Sequence, residues 1–167
     1  TTQQYRQANI FADIAVAKCQ QLPDHDPAFC GASYLKKANV MVGMNKIPSA
    51  MYYLKRARQY YDVLPYGNGN FIVDQVLGEL YLKENTPVMR RRGIACLQRA
   101  LPVVPDVYCK AEIYLQMAKS LISDGRTTEG EAMLDSMHTT LESFATPMYV
   151  SGAYQYALNH YLAKHDA

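Results

Sequence analysis

The chain has 167 residues, of which 49% are hydrophobic and 19% are charged, and its formal net charge is +2. This length and composition predict a folded domain with its own hydrophobic core, and the near-neutral charge gives no electrostatic basis for binding nucleic acid or an anionic membrane. No stretch approaches the roughly 18 uninterrupted apolar residues of a membrane-spanning helix, so we expect no direct membrane contact.

Turn-forming residues divide the chain into segments that are each long enough for a helix, and none of them alternates as a clean strand would. We therefore predict an all-α fold of about eight helices. In the first segment, Ile10, Ile14 and Ala17 recur at helical spacing and mark an apolar face. The predicted helices lie near residues 3–22, 27–44, 48–63, 71–84, 87–102, 107–123, 128–143 and 147–165.

Short polar residues stand where several of these helices should begin. Such side chains accept hydrogen bonds from the first backbone amides of a helix, and proline is tolerated in the first turn. Thr128, with Glu131 three residues later, has the form of a capping box. The other predicted capping residues are Asp26, Thr86, Asp106 and Thr146.

Two further local features concern turns and charge. Asn45, which tolerates a left-handed backbone, should close the second helix, and residues 124–126 should form a short turn between helices.

Arg90, Arg91 and Arg92 make a basic run whose side chains point in different directions around a helix. A solvated helix start is the favoured interpretation of this run, and contact with phosphate or an acidic partner is the alternative.

The four cysteines lack the close paired spacings of a zinc site. Cys19 and Cys30 lie near each other across a predicted loop, so one disulfide could form in an oxidising compartment. The sequence leaves open whether it does.

A pattern of small residues repeats at intervals of about forty residues. Ala38, Gly78 and Ala118 stand in the first helix of successive pairs, and Ala50, Gly93 and Gly130 stand in the second. Small residues at these positions would let the two helices of a pair approach closely. A single pair cannot bury its apolar face, so stacked copies would complete the core.

This alternation of small and large residues resembles the tetratricopeptide repeat. The resemblance covers repeats at 31–64, 71–105 and 111–144, with an N-terminal helix at 1–26 and the first helix of a further, truncated repeat at 147–167. It implies one domain over 1–167, a right-handed superhelix of antiparallel helix pairs. The spacing of forty exceeds the family's usual ~34 residues, and Asp74 stands where the family often has an aromatic residue. An unrelated helical bundle is the alternative.

The resemblance also implies a ligand site, because the first helices of tetratricopeptide pairs line a concave groove that holds peptides or helices. The residue after each small core residue points into that groove, and its neighbours complete a mixed polar and apolar lining. Alternatively, Glu79 and Lys119 pair with each other on a solvated face. An acidic Glu79 would repel the carboxylate that one subclass of the family grips. The predicted groove residues are Leu35, Asn39, Gln75, Glu79, Glu112, Lys119 and Tyr154.

Residues that would carry catalysis do not gather into a recognisable motif, so we expect no enzyme activity, cofactor or metal. Asp135 and His138, three apart, could form a hydrogen bond on a helix surface.

In Tyr52-Tyr53 and Tyr60-Tyr61, one ring of each pair should face the core and the other should be partly exposed. Packing is favoured over an aromatic binding surface for these rings.

The sequence thus predicts a non-catalytic module that binds a protein or peptide, as a sensory or scaffolding part of a larger bacterial signalling protein. Its tyrosine-rich, long-looped style is similar to repeat domains of membrane-bound regulators in the Bacteroidetes, which implies a periplasmic location. The alternative is a self-contained secretion or assembly chaperone in the cytoplasm that dimerises through its first helix. Residues 156–161 stay apolar toward the C-terminus, which indicates a fragment or a partner subunit, including a homo-oligomer through terminal helices.

Overall fold

Helices account for all the regular structure in the computed structural model, which describes residues 2–21, 26–142 and 151–165. The predicted all-α class is confirmed for these residues. A short 3-10 helix at Leu101–Val103 follows the fifth α-helix. The α-helices are α1 (Thr2–Gln21), α2 (Pro27–Gly43), α3 (Ile47–Tyr61), α4 (Asn70–Glu84), α5 (Pro87–Ala100), α6 (Val107–Ser123), α7 (Thr127–Glu142) and α8 (Ser151–His165). Within the described ranges, no helix is both long enough and apolar enough to cross a membrane.

Three of the predicted helix caps are confirmed. The Asp26 carboxylate accepts a hydrogen bond from the Ala28 amide at 3.0 Å, and the Asp106 carboxylate accepts one from the Cys109 amide at 2.7 Å. The Thr86 hydroxyl accepts one from the Met89 amide at 3.3 Å. Each bond satisfies an amide that has no partner inside its own helix.

The predicted capping box at Thr128 is wrong. Helix α7 begins at Thr127, which places Thr128 inside the first turn. The Glu131 carboxylate binds Lys164 and His160 of α8. The predicted cap at Thr146 lies outside the described residues.

The chain divides into two compact units, residues 1–81 and 82–167, and each is described by itself. The boundary falls within α4. The two helices of the predicted middle repeat, 71–105, therefore belong to different units, and the single domain over 1–167 stays a prediction.

In the first unit, α2 packs extensively against α3 and forms the first hairpin, residues 27–61. Asn45 lies in the turn with a positive φ of 57°, as predicted. The small residues Ala38 and Ala50 are 0% exposed, and Leu54 and Ala57 are buried beside them. The predicted close packing of small residues is thus seen in the burial of both helices.

Stacked tyrosines extend this core to its edge. The ring of Tyr34 lies 5.5 Å from that of Tyr60, and the Arg56 guanidinium lies over both rings. Tyr61 is buried whereas Tyr60 is half-buried, and Tyr53 is half-buried whereas Tyr52 is exposed. Both tyrosine pairs therefore divide between interior and surface as predicted.

Helix α1 is attached to α2 by an ion pair and a covalent bond. Lys37 is buried on α2, where its ammonium pairs with Asp13 and donates a hydrogen bond to the Asn9 side-chain oxygen at 2.8 Å. Cys19 and Cys30 form a disulfide with their Cα atoms 5.2 Å apart. The structure thus answers the question that the sequence left open.

The predicted apolar face of α1 is wrong. Ile10 and Ile14 are 58% and 48% exposed, and Phe11 beside them is 72% exposed. The buried positions are Ala12 and Cys19. Helix α1 is turned this way because the disulfide and the partners of Lys37 must all face α2.

Asp74 on α4 is another buried charge that the repeat pattern did not explain. Its side chain is fully buried, accepts a hydrogen bond from Arg58 of α3 at 2.6 Å, and accepts another from the Tyr66 hydroxyl at 2.9 Å. An ion pair thus joins α3 to α4 at the position where tetratricopeptide repeats often have an aromatic residue.

The second unit contains a second hairpin, residues 107–142, in which α6 packs extensively against α7. Gly125 in its turn has a φ of 76°. A Cβ atom on Gly130 would lie 2.5 Å from Ile122 Cγ1 and 3.1 Å from the carbonyl oxygen of Ala118. Only glycine therefore fits where α7 meets α6.

Arg90 corrects the interpretation of the basic run. Its Nε donates to the Asp124 carboxylate at 2.6 Å, and its guanidinium also binds the carbonyl oxygen of Asn85. Arg91 and Arg92 are exposed. The first arginine therefore joins α5 to the turn of the second hairpin, and the other two are solvated as predicted.

The two hairpins correspond to each other at a separation of eighty residues. The caps Asp26 and Asp106 occupy corresponding positions, as do the left-handed turn residues Asn45 and Gly125. The core pairs at this separation are buried in both hairpins: Ala38 and Ala118, Met41 and Leu121, Ala50 and Gly130, Leu54 and Leu134. The local structure therefore repeats along with the sequence.

Replacing Gly130 with leucine should lower the free energy of unfolding by at least about 1 kcal/mol, because overpacking outweighs the helix propensity that leucine gains over glycine. Thermal unfolding followed by circular dichroism measures the change. Ala132→Leu, at an exposed position of the same helix, is the control and should shift stability by no more than about 0.5 kcal/mol. Equal stability of the two variants would contradict the close approach.

Reducing the Cys19–Cys30 disulfide should lower the free energy of unfolding by about 3 kcal/mol, since the bridge closes a short loop in the unfolded chain. Urea unfolding with and without a reductant measures this. In the Cys19→Ala, Cys30→Ala double variant, the reductant should have no further effect. A wild-type midpoint that does not respond to reductant would show that the bridge does not form.

Candidate functional site

The predicted groove residues of the first unit do not share one environment. Leu35 is buried at 6% exposure, so its side chain belongs to the interior, whereas Asn39 is exposed on the same helix. Gln75 and Glu79 are half-buried on α4, where the Gln75 amide donates to the Glu79 carboxylate at 3.2 Å. The polar members of the set therefore remain candidates for ligand contact, and Leu35 does not.

In the second unit, one predicted residue, Lys119, contacts α8, and another, Tyr154, lies on α8 and contacts α7. The Lys119 ammonium lies 4.9 Å from the centre of the Tyr156 ring. The Tyr154 hydroxyl lies 2.8 Å from Nδ1 of His138. Glu112 is exposed and accepts a hydrogen bond from Gln116. Tyr154 lies in a concave site, which differs from the predicted groove because α7, the second helix of its hairpin, forms one wall.

That site is a cleft between α7 and α8 with a volume of about 530 Å³, within the range of ligand pockets. Helix α7 contributes Leu134, Asp135, Met137 and His138 to its walls. Helix α8 contributes Tyr154, Gln155, Ala157, Leu158 and Tyr161. We call this site the α7–α8 cleft.

The floor of the α7–α8 cleft is apolar because it is the edge of the second hairpin's core. Leu134 and Met137 are almost fully buried, and Tyr154, Ala157 and Tyr161 pack against the same cluster. Leu158 is 52% exposed at the mouth. The helical spacing of Tyr154, Leu158 and Tyr161 places them on one side of α8.

Polar groups from both helices surround this apolar floor. The His138 ring binds Tyr154 through Nδ1, and its Nε2 lies 3.1 Å from the Glu142 carboxylate. The predicted bond between Asp135 and His138 is thus replaced by contacts to other residues. The rings of His138 and Tyr154 meet edge to face at 5.5 Å between centroids.

Asp135 and Tyr161 face each other across the cleft. The Tyr161 hydroxyl lies 3.5 Å from the Asp135 carboxylate, which is a long contact for a hydrogen bond. Burial, with the nearby charges of Asp135 and Glu131, raises the pKa of the Tyr161 hydroxyl. Tyr161 therefore stays neutral, and the carboxylate of Asp135 keeps capacity to accept a stronger partner.

Glu131 holds α8 against α7. Its carboxylate accepts hydrogen bonds from Lys164 at 2.8 Å and from Nε2 of His160 at 3.1 Å. Bonds from Lys164 and then His160 lower the pKa of the Glu131 carboxyl. These contacts fix the helix that forms one wall of the cleft.

No family model, no curated protein and no solved structure matches this chain. Among the residues that the structure describes, no three histidine, cysteine or acidic side chains gather as a metal site would require.

Sequence reasoning missed most of the α7–α8 cleft. It considered Asp135 and His138 only as a surface pair, and it did not connect them with Tyr161. The available signal was the helical spacing of polar residues on α7 and of tyrosines on α8. That signal does not reveal which face of α8 meets α7, because several faces of this helix carry aromatic or aliphatic residues.

Replacing Glu131 with glutamine should loosen α8, because it removes the charge that holds Lys164 and His160. Hydrogen exchange of the α8 amides, corrected for intrinsic rates, measures this at neutral pH. Since the folded-state pKa of Glu131 is lowered, the wild-type stabilisation is present at neutral pH and is lost as the pH falls through that lowered value.

Glu129→Gln is the matched control, because Glu129 pairs with Arg126 of the adjoining turn rather than with α8. It should leave the exchange of α8 unchanged. Equal protection of α8 in the wild type and Glu131→Gln would show that the carboxylate does not hold the helix.

Proposed function

We propose that this chain is a non-catalytic module that binds a segment of another protein through helix hairpins of the tetratricopeptide type. In that family, the helix pairs stack into a right-handed superhelix. The observation that carries the proposal is the eighty-residue correspondence between the two hairpins, which share caps, left-handed turn positions and buried small residues. Repeated helix pairs typically provide extended surfaces for protein ligands.

The surroundings of the charged residues also support binding rather than catalysis. Asp74 is bound to Arg58, Lys37 to Asp13, and Glu131 to two basic groups of α8. These ion pairs join one helix to another, so these charged side chains stabilise the packing of the helices. The α7–α8 cleft offers a concave apolar floor with a few polar groups, which suits recognition of a side chain.

The disulfide supports a location outside the reducing cytoplasm. Disulfides between buried cysteines persist in oxidising compartments such as the periplasm, and Cys19 and Cys30 are both 0% exposed. This favours the sensory or scaffolding part of an extracytoplasmic bacterial signalling protein.

A cytoplasmic assembly chaperone that dimerises through α1 is the second candidate. The exposure of Ile10, Phe11 and Ile14 on one helix favours it, because exposed apolar surface of this kind often marks a protein interface. The disulfide argues against its cytoplasmic location. Light scattering with wild type and Phe11→Glu separates the two: a dimer that the substitution dissociates would favour the chaperone.

Selection from a displayed library of random peptides should test the binding function with the intact chain. We expect enrichment of peptides that share a short motif. Glu79→Arg or Lys119→Glu, each made alone, should weaken the selected peptides by about fivefold if those residues contact the ligand.

Lys55→Glu is the control, since Lys55 is exposed on α3 and outside the predicted ligand-contact set. It should bind as the wild type does while retaining the same helicity. Failure to enrich any common motif would contradict the proposed function. An equal loss of binding in all three variants would contradict the assignment of Glu79 and Lys119.

A further inference from the structure

We propose that the α7–α8 cleft holds the basic side chain, lysine or arginine, of the bound protein segment. This inference rests on the proposed function for the source of the side chain. It adds the chemical class of the ligand side chain that the cleft binds and the residues that bind it.

The walls of the cleft suit the aliphatic stem of such a side chain. Leu134 and Met137 form the floor, and the exposed Leu158 forms the mouth. Lysine and arginine bury three or four methylene groups along apolar surface while their charged ends stay at polar groups. A volume of about 530 Å³ leaves room for the stem and its charged end.

The polar groups of the cleft suit the charged end of such a side chain. The carboxylate of Asp135 carries the negative charge, and its contact to the Tyr161 hydroxyl is long at 3.5 Å. The rings of Tyr154 and Tyr161 line the same cleft. A carboxylate attracts an ammonium or guanidinium group by direct charge, and aromatic rings nearby attract it through their quadrupole.

The basic side chains nearby on α8 are held by another carboxylate. His160 and Lys164 both bind Glu131. Within the part of the chain that the structure describes, the lining contains neither lysine nor arginine, and the Nε2 of His138 lies near Glu142. The charge of the lining therefore complements a cation that a ligand brings.

The chain uses the same chemistry inside its own fold. Arg56 lies 5.5 Å from the centre of the Tyr34 ring, and Lys119 lies 4.9 Å from that of Tyr156. In the first unit, Lys37 makes both a cation–π contact and an ion pair, because it lies over the Tyr53 ring and pairs with Asp13. The α7–α8 cleft also combines a carboxylate with aromatic rings, those of Asp135, Tyr154 and Tyr161, although these residues are not the repeat counterparts of Asp13 and Tyr53.

Two short acetylated, alanine-rich peptides test the proposal, one with a central arginine and one with citrulline, its uncharged isostere. Amide chemical shifts of the isotope-labelled full chain report where each peptide binds. We expect the arginine peptide to shift amides of α7 and α8 saturably, with a dissociation constant on the order of 1 mM. The citrulline peptide should bind at least about fivefold more weakly.

Asp135→Asn should reduce binding of the arginine peptide to the level of the citrulline peptide. Glu129→Gln, which removes a carboxylate from the same helix outside the cleft, should leave it unchanged. Equal binding of arginine and citrulline peptides, or an unchanged affinity in Asp135→Asn, would overturn the proposal. The spectra of both variants also show that each remains folded.

Ethylguanidinium alone tests the source of the cation. If it shifts the cleft amides while the arginine peptide does not, the cleft takes a small free cation and the proposal of a protein side chain fails. Peptides from the library selection that shift only amides outside α7 and α8 would overturn this inference but leave the binding function intact. Because amide shifts show which residues a peptide contacts, they separate failure of the proposed cation site from failure of the proposed binding function.

Discussion

The close approach of paired helices at small residues is the constraint on which both units depend. At Gly130, even one additional carbon would meet Ile122 and the backbone of α6. Ala38 and Ala50 are completely buried at the corresponding level of the first hairpin. Because the backbones come this close, larger side chains such as Leu54 and Leu134 can fill the space on either side of the contact and form a dense core.

Much of this architecture could be predicted from the sequence because its causes are local. Capping residues, left-handed turn residues and apolar periodicity each act within a few positions of the chain. The predicted helices accordingly match the observed ones to within about two residues at the described boundaries. The small residues were also identified correctly, since they recur at a regular interval.

The remaining features depend on pairings between distant residues, which periodicity does not encode. Helix α1 buries Ala12 and Cys19 rather than Ile10 and Ile14, because a disulfide and a buried lysine determine its orientation. Of the candidate site, the sequence named Tyr154, but as part of the groove between the first helices of the pairs. The opposing residues Asp135 and His138 come from another helix, and their approach depends on how α8 is held by Glu131.

The short turns at 44–46 and 124–126 also bear on how the protein is made. Each hairpin joins helices that are neighbours in the sequence, so the contacts of its core are short in sequence separation. Chains with low contact order fold rapidly, since little loop-closure entropy is lost before the favourable contacts form. A nascent chain can therefore close its first hairpin soon after Tyr61 has left the ribosome, before the helices of the second hairpin have been synthesised.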